Sequence, residues 1–172
     1  MPKVATCLWF DRQAGEAAAF YVAIFRDLGR KASIIATSHY GELAASHAND
    51  HCGEEKPLSA GMVLTVTLDL DGHAVTLLNG GPVFALSSAV SLVVKCADQA
   101  ELDAFWARLS DGGTEVQCGW LTDRFGLSWQ VVPDRIDEWM TGDAQAAARV
   151  FAAIMPMVKL DIATLEKAHR GE

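Results

Sequence analysis

Three of the five histidines, His39, His47 and His51, lie in one polar stretch at residues 38–60. His47 and His51 are four residues apart, a spacing that would put both rings on one face if the stretch were helical. Cys52 follows directly, and Asp50 and Glu54 are nearby. Imidazole, thiolate and carboxylate groups are ligands that zinc and similar metals take. Loop histidines are more often solvated, so the stretch is a weak metal-site candidate.

Cysteine side chains offer a second kind of chemistry, because a thiolate is a strong nucleophile. The four cysteines, Cys7, Cys52, Cys96 and Cys118, are widely separated and form no C-x-x-C pair. We expect reduced thiols, mostly buried, rather than disulfides, and hence a protein of the cytoplasm. Neither Cys7 nor Cys118 has a His or Lys beside it in the sequence that would favour the thiolate. No catalytic residue is therefore assigned.

Three tryptophans, Trp9, Trp120 and Trp129, lie in strand-like segments, and their flat rings could stack on a ligand. The alternative is that each ring packs in the core against aromatic residues of the helices, among them Phe20 and Phe105. Core packing is the more frequent outcome for any single tryptophan. We keep all three as candidate ligand-binding residues.

Composition and charge limit the partners of this chain. Its 172 residues suit one domain, and 51% hydrophobic with 21% charged residues is ordinary for a soluble globular protein. A net charge of -8, without a long Lys/Arg run, argues against nucleic acid and anionic membranes as partners. The sequence has no signal-peptide pattern and no apolar stretch long enough to span a bilayer. A small molecule is the partner that we expect.

In the first half of the chain, the predicted elements that would position these residues are four strands and one amphipathic helix. Apolar residues spaced at i, i+3, i+4, i+7 and i+8 from Ala17 predict an amphipathic helix that ends near Gly29. The stretch at residues 38–60 predicts a long loop, which could act as a lid. Asp71-Gly72 predicts a two-residue hairpin. Strands are predicted at residues 4–10, 32–37, 62–70 and 74–78.

The same order of elements returns in the second half of the chain. Asp98 with Glu101 predicts a capping box at the start of a second amphipathic helix. Adding 85 to the residue number carries Thr6 to Ser91, which indicates a β-α-β-β-β unit used twice. Strands are predicted at residues 91–96, 114–118, 120–122 and 127–132, followed by a helix that stops before Pro156 and a last helical stretch at 160–169.

Several motifs in this order resemble the PhnB-like family, whose members often carry a 3-demethylubiquinone methyltransferase label, within the vicinal-oxygen-chelate superfamily. They are CLWFD at residues 7–11, FY at 20–21, LNGGPVF at 78–84, CGWLTDRFGLSWQ at 118–130 and MVKLDI at 157–162. The resemblance spans nearly the whole chain. It implies a single α+β domain of the glyoxalase/bleomycin-resistance/dioxygenase fold, in which two βαβββ modules form a cupped mixed sheet. The modules would span residues 1–86 and 87–133, with a helical tail at 134–172, and the resemblance also implies a homodimer.

Relatives in that superfamily that use a metal hold one divalent ion with His and Glu side chains from two strands of each module. The resemblance, together with the 85-residue relation, places these positions at Thr6, Asn79, Ser91 and Gln130. Hydroxyls and neutral amides bind divalent ions weakly, so we expect no metal and no cofactor there. These side chains would instead orient a polar ligand, or satisfy one another and buried backbone groups.

These observations leave more than one function open. The neutral polar positions and the tryptophans favour a protein that binds a small molecule in the cup between the modules. The alternative is an enzyme, such as a metal-dependent lyase, isomerase or dioxygenase, and a third is an interaction protein without pocket activity. Methyl transfer is not expected, because the usual nucleotide methyl donor needs a glycine-rich turn between a strand and a helix. No such motif occurs, and Gly80-Gly81 is followed by Pro82.

Overall fold

Alternating apolar residues produce two separate four-stranded sheets in this chain. The computed structural model describes residues 4–52 and 57–172, with the side chains of His51 and Cys52 not described. The chain divides into two compact units, Met1–Leu86 and Ser87–Glu172, each with one mixed sheet. No helix in the described ranges has the length and apolar character needed to cross a membrane.

The first unit contains a parallel strand pair inside an otherwise antiparallel sheet. Its elements are β1 (Thr6–Phe10), α1 (Ala14–Asp27), β2 (Ala32–His39), α2 (Glu42–Cys52), β3 (Val63–Leu70) and β4 (His73–Asn79). The strand order is β1-β4-β3-β2, with β1 parallel to β4. Asp71 and Gly72 both have positive φ, of 54° and 90°, as a tight two-residue hairpin requires. The predicted hairpin is confirmed.

One face of the first sheet packs against α1. Leu8 and Phe10 on β1 are buried, and so are Val75 and Leu77 on β4, at every second position. Helix α1 contacts β3 and β4 and buries its own apolar stripe, including Tyr21. The residues between these positions lie on the opposite face, which α1 does not cover.

Helix α2 lies where the sequence predicted a loop, and that prediction was wrong. Only Ala45 of its described side chains is buried, so the helical period of apolar residues is weak. The helix is held by tertiary contacts instead, because Ala45 joins Tyr40 and Leu58 in a small hydrophobic cluster. Asn49 also donates to the Leu58 carbonyl (2.8 Å) and accepts from its N–H (2.7 Å). Such long-range bonds leave no periodic signal in sequence.

The second unit repeats the same topology and then continues into helices. Its elements are β5 (Ser91–Cys96), α3 (Gln99–Ser110), β6 (Thr114–Glu115), β7 (Trp120–Thr122), β8 (Ser128–Pro133), α4 (Ile136–Thr141), α5 (Ala144–Ile154) and α6 (Ile162–Arg170). The strand order is β5-β8-β7-β6, with β5 parallel to β8. The Asp98 carboxylate accepts from the Glu101 N–H (2.9 Å), and the Glu101 carboxylate accepts from the Ala97 N–H (2.7 Å). The predicted cap of α3 is therefore present.

The two units share an order of elements but differ by one residue in side-chain register. Helices α1 and α3 begin 85 residues apart, at Ala14 and Gln99, as the repeat predicts. The first strand of each unit ends at a buried residue, Phe10 or Cys96, and these two are 86 residues apart. The difference arises because the connection from β1 to α1 is one residue longer than that from β5 to α3. A shift of one residue moves a side chain to the other face of a sheet.

Candidate ligand-binding site

Thr6 lies on the face of the first sheet that packs against α1. It alternates with the buried Leu8 and Phe10, so its side chain shares their face. Its Oγ1 is 3.0 Å from Nε2 of His73, at the start of β4. Because the first strands differ in register, Thr6 and Ser91 do not occupy equivalent faces of their sheets.

Asn79 is fully engaged in holding the first unit together. Its side chain is 2% exposed, its Oδ1 accepts from the Ala14 N–H (2.8 Å), and its Nδ2 donates to the Val63 carbonyl (3.0 Å). Its main-chain carbonyl accepts from the Tyr40 hydroxyl (2.6 Å). Ala14 is the first residue of α1, and Gln13 makes no side-chain cap there. Asn79 thus caps α1 from a neighbouring strand.

Ser91 and Gln130 are brought together, on the face of the second sheet opposite to the buried Trp129 and Val131. The Gln130 amide donates to the Ser91 hydroxyl at 2.9 Å, and both side chains are half-buried. Their neighbours Val94 and Val131 point to the other face and are buried. No hydrogen bond within the described ranges engages the Gln130 amide oxygen. This pair can orient a polar group of a ligand.

A pocket of about 340 Å³ lies in the second unit, and two of its lining residues are strand partners of this pair. Trp120 is the register partner of Gln130 on β7, and Ser128 is the register partner of Ser91. None of the lining side chains carries a formal charge, and their apolar atoms dominate the wall. The lining residues are Ser88, Val116, Gln117, Cys118, Trp120, Leu121, Thr122 and Ser128.

The sequence identified only part of this lining. Ser128 is two residues before Gln130 on β8, and strand alternation could have placed both on one face. Residues Val116 to Cys118 were missed because they leave the predicted strand at residues 114–118, of which only Thr114–Glu115 is a strand. Cys118 and Gly119 have positive φ values, of 64° and 79°. A backbone of this conformation cannot continue the hydrogen-bonded pairing of β6 with β7.

Trp9 packs against its own unit, on the face opposite to α1. Its indole Nε1 donates to the Gly81 carbonyl at 2.9 Å. Its ring meets Phe84 edge-on, with 5.0 Å between the ring centroids, and Phe84 is itself 63% exposed. Trp9 is half-buried, so part of its ring is accessible to a ligand.

Trp129 lies in the core of the second unit. Its ring is 1% exposed, and its Nε1 donates to the Asp123 carboxylate at 2.8 Å. The other carboxylate oxygen of Asp123 accepts from the N–H groups of Phe125 (2.8 Å) and Leu127 (3.1 Å), which shapes the turn before β8. Packing accounts for this tryptophan, whose ring is not accessible to a ligand.

The residues at the four family-implied ligand positions do not fit a divalent ion. All are neutral, the Asn79 amide caps a helix, and Ser91 is bonded to Gln130. Among the described residues no group of three or more His, Cys, Asp or Glu could hold a metal ion. His47 lies on α2, while the side chains of His51 and Cys52, and all of Glu54, fall outside the described residues. Metal-based chemistry is therefore not expected at these four positions.

The described cysteines carry free thiols in three different environments. Cys7 is exposed, Cys96 is buried and Cys118 is half-buried at the pocket. Their reduced state agrees with the expectation from sequence, although Cys7 is not buried as expected for most of them. Its position on β1, between Thr6 and Leu8, puts it on the face that α1 leaves uncovered.

Comparison with known protein families identifies the family of this chain. The family model described as 3-demethylubiquinone-9 3-methyltransferase matches residues 2–132. The chain belongs to this family. The 3-demethylubiquinone-9 3-methyltransferase family is the PhnB-like family that the motifs resembled, so the resemblance is confirmed. No curated protein matches the chain.

Solved structures of similar proteins support the family assignment and the fold. A PhnB protein from Bacillus cereus, named for the same methyltransferase, is 26% identical, covers 76% of this chain and 99% of its own, and has a TM-score of 0.58. A Pseudomonas aeruginosa protein is 16% identical, covers 77% of this chain and 97% of its own, and has a TM-score of 0.53. The fosfomycin resistance protein FosX from Listeria monocytogenes is 10% identical, covers 78% of this chain and 92% of its own, and has a TM-score of only 0.41. The predicted α+β fold of the glyoxalase/bleomycin-resistance/dioxygenase type is confirmed.

Proposed function

We propose that this family member binds a small, uncharged and largely apolar molecule in the pocket of its second unit. The observation that carries this proposal is the pocket of about 340 Å³ with an uncharged wall, in which Ser128 and Trp120 are the strand partners of the paired Ser91 and Gln130. Trp120 supplies a ring on which a ligand can stack, and the Gln130 amide oxygen accepts one hydrogen bond from the ligand.

Physical arguments about burial favour this class of ligand. A volume of about 340 Å³ lies at the lower end of the usual range for small-molecule sites. A charged group would lose its hydration in this wall without meeting an opposite charge, which is costly. Gln130 is already oriented by its bond to Ser91, so binding loses little side-chain entropy.

Binding without acid–base catalysis is the form of activity that the lining supports. Among the lining residues, Cys118 carries a thiol and none carries a carboxylate, an imidazole or an amino group. A metal-dependent lyase, isomerase or dioxygenase would need ligands that Thr6, Asn79, Ser91 and Gln130 do not provide.

The lack of a suitable strand-to-helix turn argues against methyl transfer. Residues 11–13 connect β1 to α1, and residues 97–98 connect β5 to α3. Neither connection contains a glycine. The connection from β2 to α2, residues 40–41, contains the single glycine Gly41, and that from β8 to α4, residues 134–135, contains none. A nucleotide methyl donor of the usual kind needs such a turn to approach the backbone closely.

We also propose a homodimer, with β2 at the interface. This edge strand has eight residues, with a β-bulge between Ile34 and Ala36, and Ile34 and Ile35 are 47% and 49% exposed. It carries no Lys, Glu, Asp or Pro of the kind that protects free sheet edges. Association of a second copy would cover both isoleucines.

A ligand screen with matched variants tests the binding proposal. Neutral aromatic compounds should include binders that raise the melting temperature. Trp120→Ala should weaken such a binder roughly tenfold, because stacking and buried apolar area are lost. Trp9→Ala, in the first unit, should leave the affinity unchanged. Equal losses in both variants, or a screen without any binder, would count against the pocket.

A further inference from the structure

We propose that a C-terminal segment fixes the shape of this pocket, an inference that rests on the proposed function. The segment, here termed the tail segment, comprises residues 155–162 and lies beyond the residues 2–132 that the family model matches. It bonds to residues 116–119, termed the wall loop, of which residues 116–118 form one side of the pocket. Gln99 on α3 is the positioning residue that anchors the tail segment.

The wall loop has a backbone that needs outside support. Cys118 has φ of 64° and Gly119 has φ of 79°, so two successive residues are left-handed. This conformation is unfavourable for a residue with a side chain, and it persists where the surroundings hold it. Two backbone hydrogen bonds from the wall loop to the tail segment supply this support. The Cys118 N–H donates to the Met157 carbonyl (2.7 Å), and the Gly119 N–H donates to the Val158 carbonyl (2.8 Å).

Close packing adds to these two bonds. Gly119 is buried, and a Cβ at this position would lie 3.0 Å from Cγ of Leu160 and 3.0 Å from the Val131 carbonyl oxygen. Leu160 is itself 1% exposed. The wall loop therefore lies between β8 and the tail segment with no space for a side chain, so a displacement of the tail segment must disturb it.

The tail segment is held in turn by α3. The Gln99 amide donates to the Leu160 carbonyl (3.1 Å), and its oxygen accepts from the Ile162 N–H (2.8 Å). Lys159 pairs with Asp103, one helical turn further along α3, at 2.6 Å. A continuous set of contacts thus runs from α3 through the tail segment and wall loop to the pocket.

The pocket depends on this arrangement because three of its lining residues belong to the wall loop. Val116, Gln117 and Cys118 form that side of the cavity. If the tail segment shifts, Cys118 and Gly119 lose the two backbone bonds that they donate to it, and the pocket widens beside Cys118. The tail segment accordingly determines the size of the ligand that fits.

Thiol labelling at Cys118 tests this inference in the full chain. In a Cys7→Ser, Cys52→Ser background, Cys118 is the accessible thiol, because Cys96 is buried. Gln99→Ala removes both anchoring bonds and should raise the rate of labelling by a neutral maleimide roughly 5- to 30-fold. Arg149→Ala is the matched control. Arg149 also donates two bonds to backbone carbonyls, those of Ala168 and His169, but away from the tail segment.

The labelling result has two outcomes that would overturn the inference. An unchanged rate in Gln99→Ala would show that the tail segment does not hold the wall loop. An equal rise in Arg149→Ala would show general loosening of the C-terminal helices instead of a specific effect.

Hydrogen exchange of the unaltered protein gives a second readout, should Gln99→Ala fail to fold. The amides of Cys118 and Gly119 should exchange slowly, since both donate to tail-segment carbonyls. Rapid exchange of both amides would contradict the inference. Neither readout uses a ligand, so a failure to find any binder would count against the proposed function alone.

Discussion

Two side-chain amides that look alike in the sequence have different surroundings. Asn79 is buried and makes two side-chain hydrogen bonds that join α1, β3 and β4. Gln130 is half-buried, bonds to Ser91 and is the strand partner of Trp120, which lines the pocket. The buried amide supports the fold of the first unit, and the half-buried one is available to a ligand.

This difference predicts unequal effects on stability. Asn79→Ala leaves the Ala14 N–H and the Val63 carbonyl without their buried partner, so it should lower the free energy of unfolding by about 2–4 kcal/mol. Gln130→Ala, the matched control, should cost less than about 1 kcal/mol. Urea unfolding of both variants measures the two losses. Equal small losses would contradict the capping role of Asn79.

The sequence identified these polar positions but not the face of the sheet to which each belongs. The repeat of 85 residues holds for Ala14 and Gln99, at the helix starts. It does not hold for Phe10 and Cys96, because the connection from β1 to α1 is one residue longer than that from β5 to α3. The length of such a connection depends on how the strand and the helix pack together, and a pattern of residue types does not reveal it.

At the scale of elements, local signals were sufficient wherever the stabilising contacts are local. The hairpin at Asp71-Gly72 and the cap at Asp98 were predicted because the residues that form them are adjacent or three apart. Helix α2 was missed because its support comes from Tyr40, Leu58 and the Asn49 side chain. Contacts distant in sequence also create the wall loop of the pocket.

The contact between α3 and the tail segment predicts a dependence on pH. The hydrogen bond from Lys159, with a smaller contribution from Gln99, lowers the pKa of Asp103 below its ordinary value of 3.8. A lowered folded-state pKa stabilises the fold above pH 3.8, and this contribution is lost as pH falls through the folded value. Asp103→Asn should therefore reduce stability near neutral pH, by less than about 1 kcal/mol because the pair is exposed.

Urea midpoints of the natural chain and of Asp103→Asn, measured from neutral pH down to about pH 3, check this dependence. The difference between the two should be constant near neutrality and should shrink once the pH falls below the ordinary carboxyl value. Lys159→Met is the control, because it removes the same ion pair by replacing the lysine instead of the aspartate. A difference that stays constant through the acid range would contradict the role of the ion pair.

At the scale of the whole molecule, two units with the same strand order carry different roles. The first unit devotes its polar strand residues to internal bonds and presents β2 as an exposed edge. The second unit contains the pocket and is followed by the helices that include the tail segment. The overall order of elements was predictable from the internal repeat, whereas this division of roles was not, since it depends on which residues become buried.

The exposed edge strand makes the oligomeric state a test at this scale. We expect a dimer by sedimentation velocity, and Ile34→Glu should shift it towards monomer because a charge would be buried in the interface. Val90→Glu replaces a valine that is 57% exposed outside β2 and should leave the dimer intact. A monomeric natural chain, or equal effects of both substitutions, would contradict an interface at β2.

The most direct test of the central claim is to locate a bound ligand by its effect on the tryptophan indole N–H signals. With the tightest neutral aromatic binder in titration, NMR spectra should show a shift of the Trp120 indole signal and of the Gln130 side-chain amide. Trp129, which is buried and bonded to Asp123, should keep its signal position. Shifts at Trp9 with none at Trp120 would contradict the account, because they would place the ligand in the first unit.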